Sequence, residues 1–462
     1  MIPERFRPLL DETSWLAGPF EAAGHRLYLV GGVVRDALLD RLAPDHDVDL
    51  TTDARPEEIK RVVGPLADAV WLQGERFGTI GATRDGRTFE ITTHRAEAYV
   101  PESRKPEVAF ADGVEVDLSR RDFTVNAMAL RLPDLELIDP FGGAAHLHDR
   151  RLRTPLAPEE SFTDDPLRML RAARFIAQFH LLPDPGITTA VVELRERLAI
   201  VSAERIRVEL DKLVTAEDPT EGLRFLLATG LADHFLPELA ALALQQDPVH
   251  RHKDVLEHTF AVVQKVDPAH RLVRLAALFH DIGKPRTRAF GPGGVSFHHH
   301  EIVGARMTRD RMRALRYPND DVAAVTRLVE LHLRFHGYRD GDGGWTDSAV
   351  RRYVRDAGPL LEALNELTRC DCTTRNVAKA RGLARRMDEL EERIKRLEAE
   401  EELKALRPDI DGQRVMEHLG IAPGPVVGKA LAFLLETRIE EGPLGEEEAL
   451  RRLDEWWAEH KT

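Results

Sequence analysis

The sequence predicts an α+β protein, a small mixed head followed by a large all-α region. Three observations predict it. Strand-like runs are confined to the stretch before about Leu137. Helical apolar spacing takes over from Pro166 onward. At 462 residues the chain is also too long for one compact core.

The elements follow in order. "RLYLV" reads as a short apolar strand, "GGVVRDALL" as a turn entering a helix, "VDL" as a strand and "TFEITT" as an alternating strand. The Gly-rich turn "DPFGG" (Asp139–Gly143) ends the head, and the seam is expected between Gly142–Gly143 and Pro155. "LRMLRAARFIAQF" and "LVRLAALFHDIG" then carry helical spacing. "AFGPGGVSFHHH" (Ala289–His300) and "FHGYRDGDGGW" (Phe335–Trp345) read as Gly-rich loops between helices. Residues 386–406 read as a helix with a solvated charged face and an apolar row of Leu390, Ile394, Leu397 and Leu403. In "LGIAPGPVVGKAL", Gly424 and Gly428 flank a helix start that suits packing.

Composition bounds the function classes. With 43% hydrophobic and 31% charged residues the chain reads as soluble and globular. It has no run near the roughly 18 apolar residues of a membrane span and no signal-peptide core, so a cytoplasmic protein is expected. Its 2 cysteines, Cys370 and Cys372, suit a reducing compartment and no structural disulfide. A net charge of -14 argues mildly against nucleic acid, although a local arginine cluster can sit on an acidic protein.

"DHDVDLTT" places Asp47 and Asp49 two residues apart at a strand start, on one face. Two close carboxylates repel unless a cation sits between them. A hard divalent ion prefers oxygen ligands, and two ions can hold the attacking and leaving oxygens of a phosphoryl transfer. The plainer reading is an exposed Asp-rich turn. Upstream, "LVGGVVRD" sets a Gly-Gly turn before a helix N-terminus that attracts anions, with Arg35 one turn in. Glu90, mid-strand in "TFEITTHR", is either a third acid of the same site or an exposed strand residue.

These motifs carry a resemblance. "LVGGVVRDALLDRLAPDHDVDLTTDARPEE", "GERFGTI", "SRRDFTVNAMAL", "DPFGG", "DDPLRMLRAARF" and "VSAERIRVEL" follow in the order found in the bacterial tRNA nucleotidyltransferase and poly(A) polymerase family, over roughly the first half of the chain. The chain resembles the CCA-adding enzymes of the bacterial-eukaryotic class. The resemblance implies a polymerase-β-like nucleotidyltransferase head at 1–146, a helical RNA-binding neck at 147–240, a body at 241–375 and a helical tail at 376–462. It implies that Asp47 and Asp49 hold Mg2+ and carry the chemistry. Gly32, Arg35 and Arg121 would meet the triphosphate, with Arg120 and Asn126 near the phosphates or sugar. Asp45 matches no ligand and reads as a solvated turn residue. The implied partners are tRNA, ATP and CTP, with no membrane and no obligatory protein partner.

Asp165, Arg168, Arg171 and Arg174 recur every three residues in "DDPLRMLRAARF". The plainer reading is a capped helix, with Asp165 as N-cap, Pro166 in its first turn and a solvated arginine face. Hydrogen-bond inventory offers another: a carboxylate only accepts and a guanidinium only donates, so the pair can match a base edge. The family uses an acidic pair before x-x-Arg as a protein template for CTP and ATP. Here Asp164 stands where Glu is usual, while Asp165 and Arg168 match.

In the helical half, "AALFHDIGKP" resembles the HD phosphohydrolase superfamily. That resemblance implies metal ligands His258, His280, Asp281 and Asp371, with His300 and His332 as further candidates, and hence a second divalent metal. The alternative is a degenerate HD fold kept for RNA support. Some bacterial relatives carry an HD domain with phosphatase or phosphodiesterase activity.

The expected function is template-independent building or repair of the tRNA CCA end. A poly(A) polymerase shares every head motif, and a CC-only enzyme is next. Residues 95–118 keep the length of the family's flexible loop, which CC-only members shorten, so full CCA addition is favoured. A metal-dependent phosphohydrolase with a nucleotide-binding head, or an RNA-binding protein with a dead head, are the rivals of another class.

Overall fold

The computed structural model describes residues 4–98, 107–243, 254–291, 294–337, 345–373, 376–401 and 407–460. The chain divides into two compact units, 1–235 and 236–462.

The first unit is built on a seven-stranded sheet of order β3-β4-β5-β2-β1-β8-β9. Its strands are β1 (Leu27–Val30), β2 (Val48–Thr52), β3 (Ala69–Trp71), β4 (Thr79–Arg84), β5 (Arg87–Thr93), β8 (Ala129–Leu132) and β9 (Glu136–Ile138). A separate hairpin joins β6 (Arg95–Ala98) to β7 (Glu107–Phe110), and the middle of the expected flexible loop lies outside the described residues. Central β1 is apolar because both its faces are covered. Leu27 and Leu29 enter one core with Leu9, Leu16 and Phe20 of α1 (Arg7–Ala22) and Ile59 of α3 (Pro56–Val63). Tyr28 and Val30 enter the other, with Val114 and Leu118 of α4 (Val114–Ser119).

The same alternation sets the site. Val48 and Leu50 of β2, and Phe89 and Ile91 of β5, belong to the first core. Asp49 and Glu90 therefore point to the opposite face, and the parallel β2–β5 register pairs them directly. Between β1 and β2 the chain forms α2 (Gly32–Leu38).

Past α5 (Gly143–His148) and α6 (Pro158–Asp164), α7 (Leu167–Phe179) packs on α9 (Ala203–Val214) and α10 (Thr220–Ala228), with α8 (Pro185–Leu194) between them in sequence. The solvated arginine face expected on α7 is not observed. Arg168 is buried, and Arg171 and Arg174 are enclosed by acids from other segments.

The second unit is helical and runs from α11 (Pro237–Ala240), through α12 (Val255–Lys265), α13 (Arg271–Phe279), α14 (Lys284–Thr287), α15 (His300–Ala314) and α16 (Asn319–Leu331), to α17 (Asp347–Ala357) and α18 (Leu361–Asp371). The expected loop after α14 instead contains a short antiparallel hairpin, Ala289–Gly291 with Gly294–Ser296. Most of the expected second loop lies outside the described residues. The charged helix α19 (Val377–Glu401) buries Met387, Leu390, Ile394 and Leu397 and packs on α17 and α18, while Leu403 lies outside the described residues. Beyond it, α20 (Gly412–Leu419), α21 (Pro425–Glu441) and α22 (Gly445–His460) share a small core around Val415, Leu434 and Leu453.

Candidate active site

A cleft of about 340 Å³ opens beside the sheet, lined by Gly31, Gly32, Asp49, Arg120, Arg121, Asp122, Asn126, Asp165, Leu167, Arg168, Arg171 and Arg205. On its floor Asp49 is half-buried. Burial pushes its carboxyl above the ordinary value, Glu90 and Asp47 push the same way, and Arg121 pulls back. Asp47 and Glu90 are exposed, and Asp47 lies one residue before β2 begins. Three carboxylates whose charges raise one another's cost suit an oxygen-preferring divalent cation.

Gly31 caps α2 with φ +78°, a conformation glycine adopts without strain. A Cβ there would sit 2.9 Å from Arg121 Nη1 and 3.8 Å from Asp49 Oδ2. The glycine thus lets the helix start, Arg121 and Asp49 share one corner. Arg121 is held from behind by Asp117, 3.2 Å from its Nη2. Against the upward push of burial, Arg121 and Arg120 keep Asp117 below the usual carboxylate value. Arg35 is not part of the lining. It is buried, donates to Asn126 Oδ1 at 2.6 Å and to both oxygens of Asp36 at 2.9 Å, and lies 4.2 Å from the Phe179 ring centroid. Arg35 thereby orients Asn126, which does line the cleft.

The opposite wall comes from α7. Asp165 accepts the Leu167 N–H at 3.1 Å and pairs with Arg205 at 2.8 Å. Arg168 donates to Ser161 Oγ at 2.8 Å, to the Ser161 carbonyl at 3.4 Å and to the Arg120 carbonyl. These three contacts leave part of its five-donor fork unspent. Arg171 binds Asp122 at 2.8 Å through Nε and reaches Glu209 at 3.4 Å. Asp122 also receives Asn126 Nδ2 at 2.9 Å. Although burial pushes the Asp122 carboxyl up, Arg171 and Asn126 hold it well below the carboxylate range. Arg174 turns away to Glu209 at 2.6 Å and Gln178 at 3.1 Å and does not line the cleft. The sequence reading passes over Gly31, Asp117, Asp122, Arg205 and Glu209, although "SRRDFTVNAMAL" and "VSAERIRVEL" contain three of them, Asp122, Arg205 and Glu209.

In the second unit four histidines and two acids converge. Their ligand atoms form two groups, His258, His280 and Asp371, and Asp281, His300 and His332, each within 4.8 Å. Nδ1 of His280, His300 and His332 lies 2.7, 2.8 and 2.7 Å from the carbonyls of Ala277, Phe297 and Val329. A carbonyl only accepts, so each Nδ1 carries the proton and a neutral ring turns its Nε2 lone pair inward. Nε2 of His258 lies 3.3 Å from that of His280, and Nε2 of His300 lies 3.3 Å from that of His332. Asp281 divides between the groups, Oδ2 at 3.2 Å from His280 and Oδ1 at 3.3 Å from His300. Burial holds His258 below the ordinary histidine value and takes His332 down to about 3, so both are neutral at pH 7. Facing lone pairs and a buried carboxylate between them fit divalent cations.

Family models match in the same order: a poly A polymerase head domain over 27–153, a probable RNA and SrmB-binding site of polymerase A over 183–242, and an HD domain over 253–397. The chain is 34% identical over 445 residues to an A-adding tRNA nucleotidyltransferase of Deinococcus radiodurans, covering 93% of this chain and 95% of that one. It is 40% identical over 224 residues to a CCA-adding enzyme of Bacillus velezensis, covering 48% of this chain and 54% of that one. Among solved structures, the Bacillus stearothermophilus CCA-adding enzyme in complex with CTP matches with TM-score 0.70 and 25% identity, covering 100% of this chain and 99% of that one. Nucleotidyltransferase and HD domains of these kinds depend on divalent metal. The chain belongs to the tRNA nucleotidyltransferase and poly(A) polymerase family, in the branch whose members carry an HD domain.

Proposed function

We propose that this chain adds the 3′-terminal CCA to tRNA in the cytoplasm, taking CTP and ATP and releasing pyrophosphate. The observation that carries this reading is the cleft itself. Three acids centred on Asp49 stand beside a Gly-Gly helix start and Arg121, opposite a donor–acceptor pair, Asp165 and Arg168. The head, 1–146, performs the transfer, 147–240 holds RNA, 241–375 carries the HD chemistry, and 376–462 is a helical tail.

In this mechanism the 3′-hydroxyl of tRNA gives its proton to solvent water and attacks the α-phosphorus, forming the new O–P bond. The bond to the β-phosphate oxygen breaks, and pyrophosphate leaves. Asp47 and Asp49, with Glu90 beside them, would hold magnesium, which would supply positive charge against the triphosphate and the attacking oxygen. The Gly31–Gly32 backbone and the α2 N-terminus receive phosphate oxygens, and Arg121 and Arg120 add positive charge. Asn126, held by Arg35 and Asp122, meets the sugar or phosphates. Asp165 accepts from the exocyclic amine of cytosine or adenine while Arg168 donates to the neighbouring ring nitrogen, and guanine and uracil present the reverse order.

Base choice gives a sharp prediction. Arg168→Ala should lose discrimination as well as rate, because a broken two-point match is worth roughly 1–3 kcal/mol by analogy with base readout in DNA. That is about tenfold to a few hundredfold in preference for CTP and ATP over UTP and GTP. Arg174→Ala should leave the ranking of bases unchanged, since Arg174 lies outside the cleft. Single-nucleotide incorporation with each of the four triphosphates checks both. Slowing by one common factor in Arg168→Ala would assign it to positioning instead.

A second reading has its own support, because one relative matched over nearly its full length is an A-adding enzyme. A tRNA trimmed to its discriminator base separates the two. CCA addition gives two added residues with CTP alone and three with CTP and ATP. An A-adding enzyme leaves that tRNA unchanged and extends only a tRNA already ending in CC, by one residue with ATP.

For the HD portion, we propose a two-ion phosphohydrolase centre. His258, His280 and Asp371 would hold one ion, His300 and His332 the other, and Asp281 would serve both.

A further inference from the structure

Asp47 stands apart from its partner in the cleft. It precedes β2, its side chain is exposed, and it makes no hydrogen bond or ion pair among the described residues. Its place is therefore set by the turn that delivers it, Pro44–His46, and that turn is tied down from two distant elements. From α1, Glu12 meets His46, Oε2 to Nε2 at 2.9 Å. From the first position of β5, Arg87 donates to the Pro44 carbonyl at 2.8 Å and the His46 carbonyl at 3.2 Å, and its Nε binds Glu12. The His46 ring closes back on the Ala43 carbonyl through Nδ1 at 2.7 Å. The side chains of Glu12, His46 and Arg87 are only 15%, 13% and 29% exposed.

The register explains why the tie falls there. Val48 pairs with Phe89 in the parallel ladder, and extending that register two residues back sets His46 beside Arg87. The strand that anchors the turn is the strand that carries Glu90, so Asp47 is indexed to the other two acids through one rigid element. Every partner of Arg87 here is an acceptor, and two of them are backbone carbonyls of the turn itself. A forked guanidinium reaches the three from three separate nitrogens, whereas an ammonium holds all its donors on one.

We propose that Glu12, Arg87 and His46 form a clamp of positioning residues that preorganises Asp47 for its divalent cation. The proposal rests on Asp47 being a metal ligand. A carboxylate on a loose turn must be ordered when the ion binds, and that ordering weakens metal affinity. The clamp removes this cost in advance.

The test uses the full-length chain with Glu12→Gln, Arg87→Gln and Arg87→Lys. Three quantities are measured for nucleotide addition to tRNA: the free magnesium concentration giving half-maximal rate, the KM for CTP at saturating magnesium, and the melting temperature. Partners one step behind metal ligands typically change affinity by about tenfold or more. The half-maximal magnesium concentration is expected to rise by about that factor in all three variants, with the rate restored at high magnesium and the KM for CTP unchanged. Glu12→Gln keeps shape and volume, so it reports even if an Arg87 variant folds poorly. A lowered melting temperature with the wild-type magnesium requirement would reduce the clamp to ordinary packing and overturn the proposal. Asp47→Ala is the companion control. If it stays active, the metal-ligand reading itself falls; if it is dead while the clamp variants keep the wild-type magnesium requirement, the clamp alone falls.

Discussion

Asp49→Ala is expected to abolish nucleotide addition, and Asp47→Ala to do the same, while the head keeps its fold. Metal ions supply several kcal/mol of transition-state charge stabilisation in phosphoryl transfer, and a loss of about 4 kcal/mol is about 10³-fold in rate. Neither side chain belongs to a core: the buried partners on their strands are Val48, Leu50, Phe89 and Ile91. Stability should even move the other way. Burial and two neighbouring acids raise the Asp49 pKa in the folded protein. A carboxyl whose folded pKa lies above its unfolded value opposes folding once the pH rises past the unfolded value. In a metal-free buffer at pH 7, Asp49→Asn is therefore expected to melt above the wild type, with the difference shrinking as the pH falls toward 4. Addition at near the wild-type rate by either alanine variant would end the assignment of these acids to the reaction.

His280→Ala combined with Asp281→Ala should remove any phosphatase or 2′,3′-cyclic phosphodiesterase activity while sparing nucleotide addition. The double change deletes one ligand of the first group and the residue that touches both. Bound metal, counted per chain after dialysis, should fall together with hydrolysis. The fold is expected to survive because the carboxylate leaves with a histidine, so no unpaired anion stays in the core; Lys284, 2.6 Å from Asp281, is only partly buried and can turn to water. Loss of nucleotide addition in a folded double variant would contradict the independence of the two sites.

What could be read in advance divides along a physical line. The two-residue spacing of Asp47 and Asp49 was legible because it is local, although Asp47 lies just before β2 and not on the strand. Glu90 was not, because its pairing with Asp49 depends on a parallel register set by α3 and the β4–β5 hairpin. The three-residue recurrence of Asp165, Arg168, Arg171 and Arg174 was equally plain, yet it could not say which members face a ligand. Asp122 and Glu209, which hold Arg171 and Arg174, arrive from segments distant in sequence. Their buried carboxylates turn an apparently solvated row into an internal network. Likewise, the adjacency of His280 and Asp281 marked the second centre. The division of the ligands into two groups follows only from how α12, α13, α15, α16 and α18 pack. The Gly-rich run after Ala289 concealed a hairpin because its strands are three residues each, too short for alternation to register.

The cleft beside Asp49 is proposed to select cytosine and adenine without a nucleic-acid template. The most direct measurement is the length and sequence of product formed on a tRNA trimmed to its discriminator base, with magnesium and all four triphosphates present together. The account predicts one product, longer by C, C and A, formed by the wild type and absent with Asp49→Ala. A ladder of added adenosines, incorporation of uridine or guanosine at comparable rates, or the same product from Asp49→Ala would contradict it.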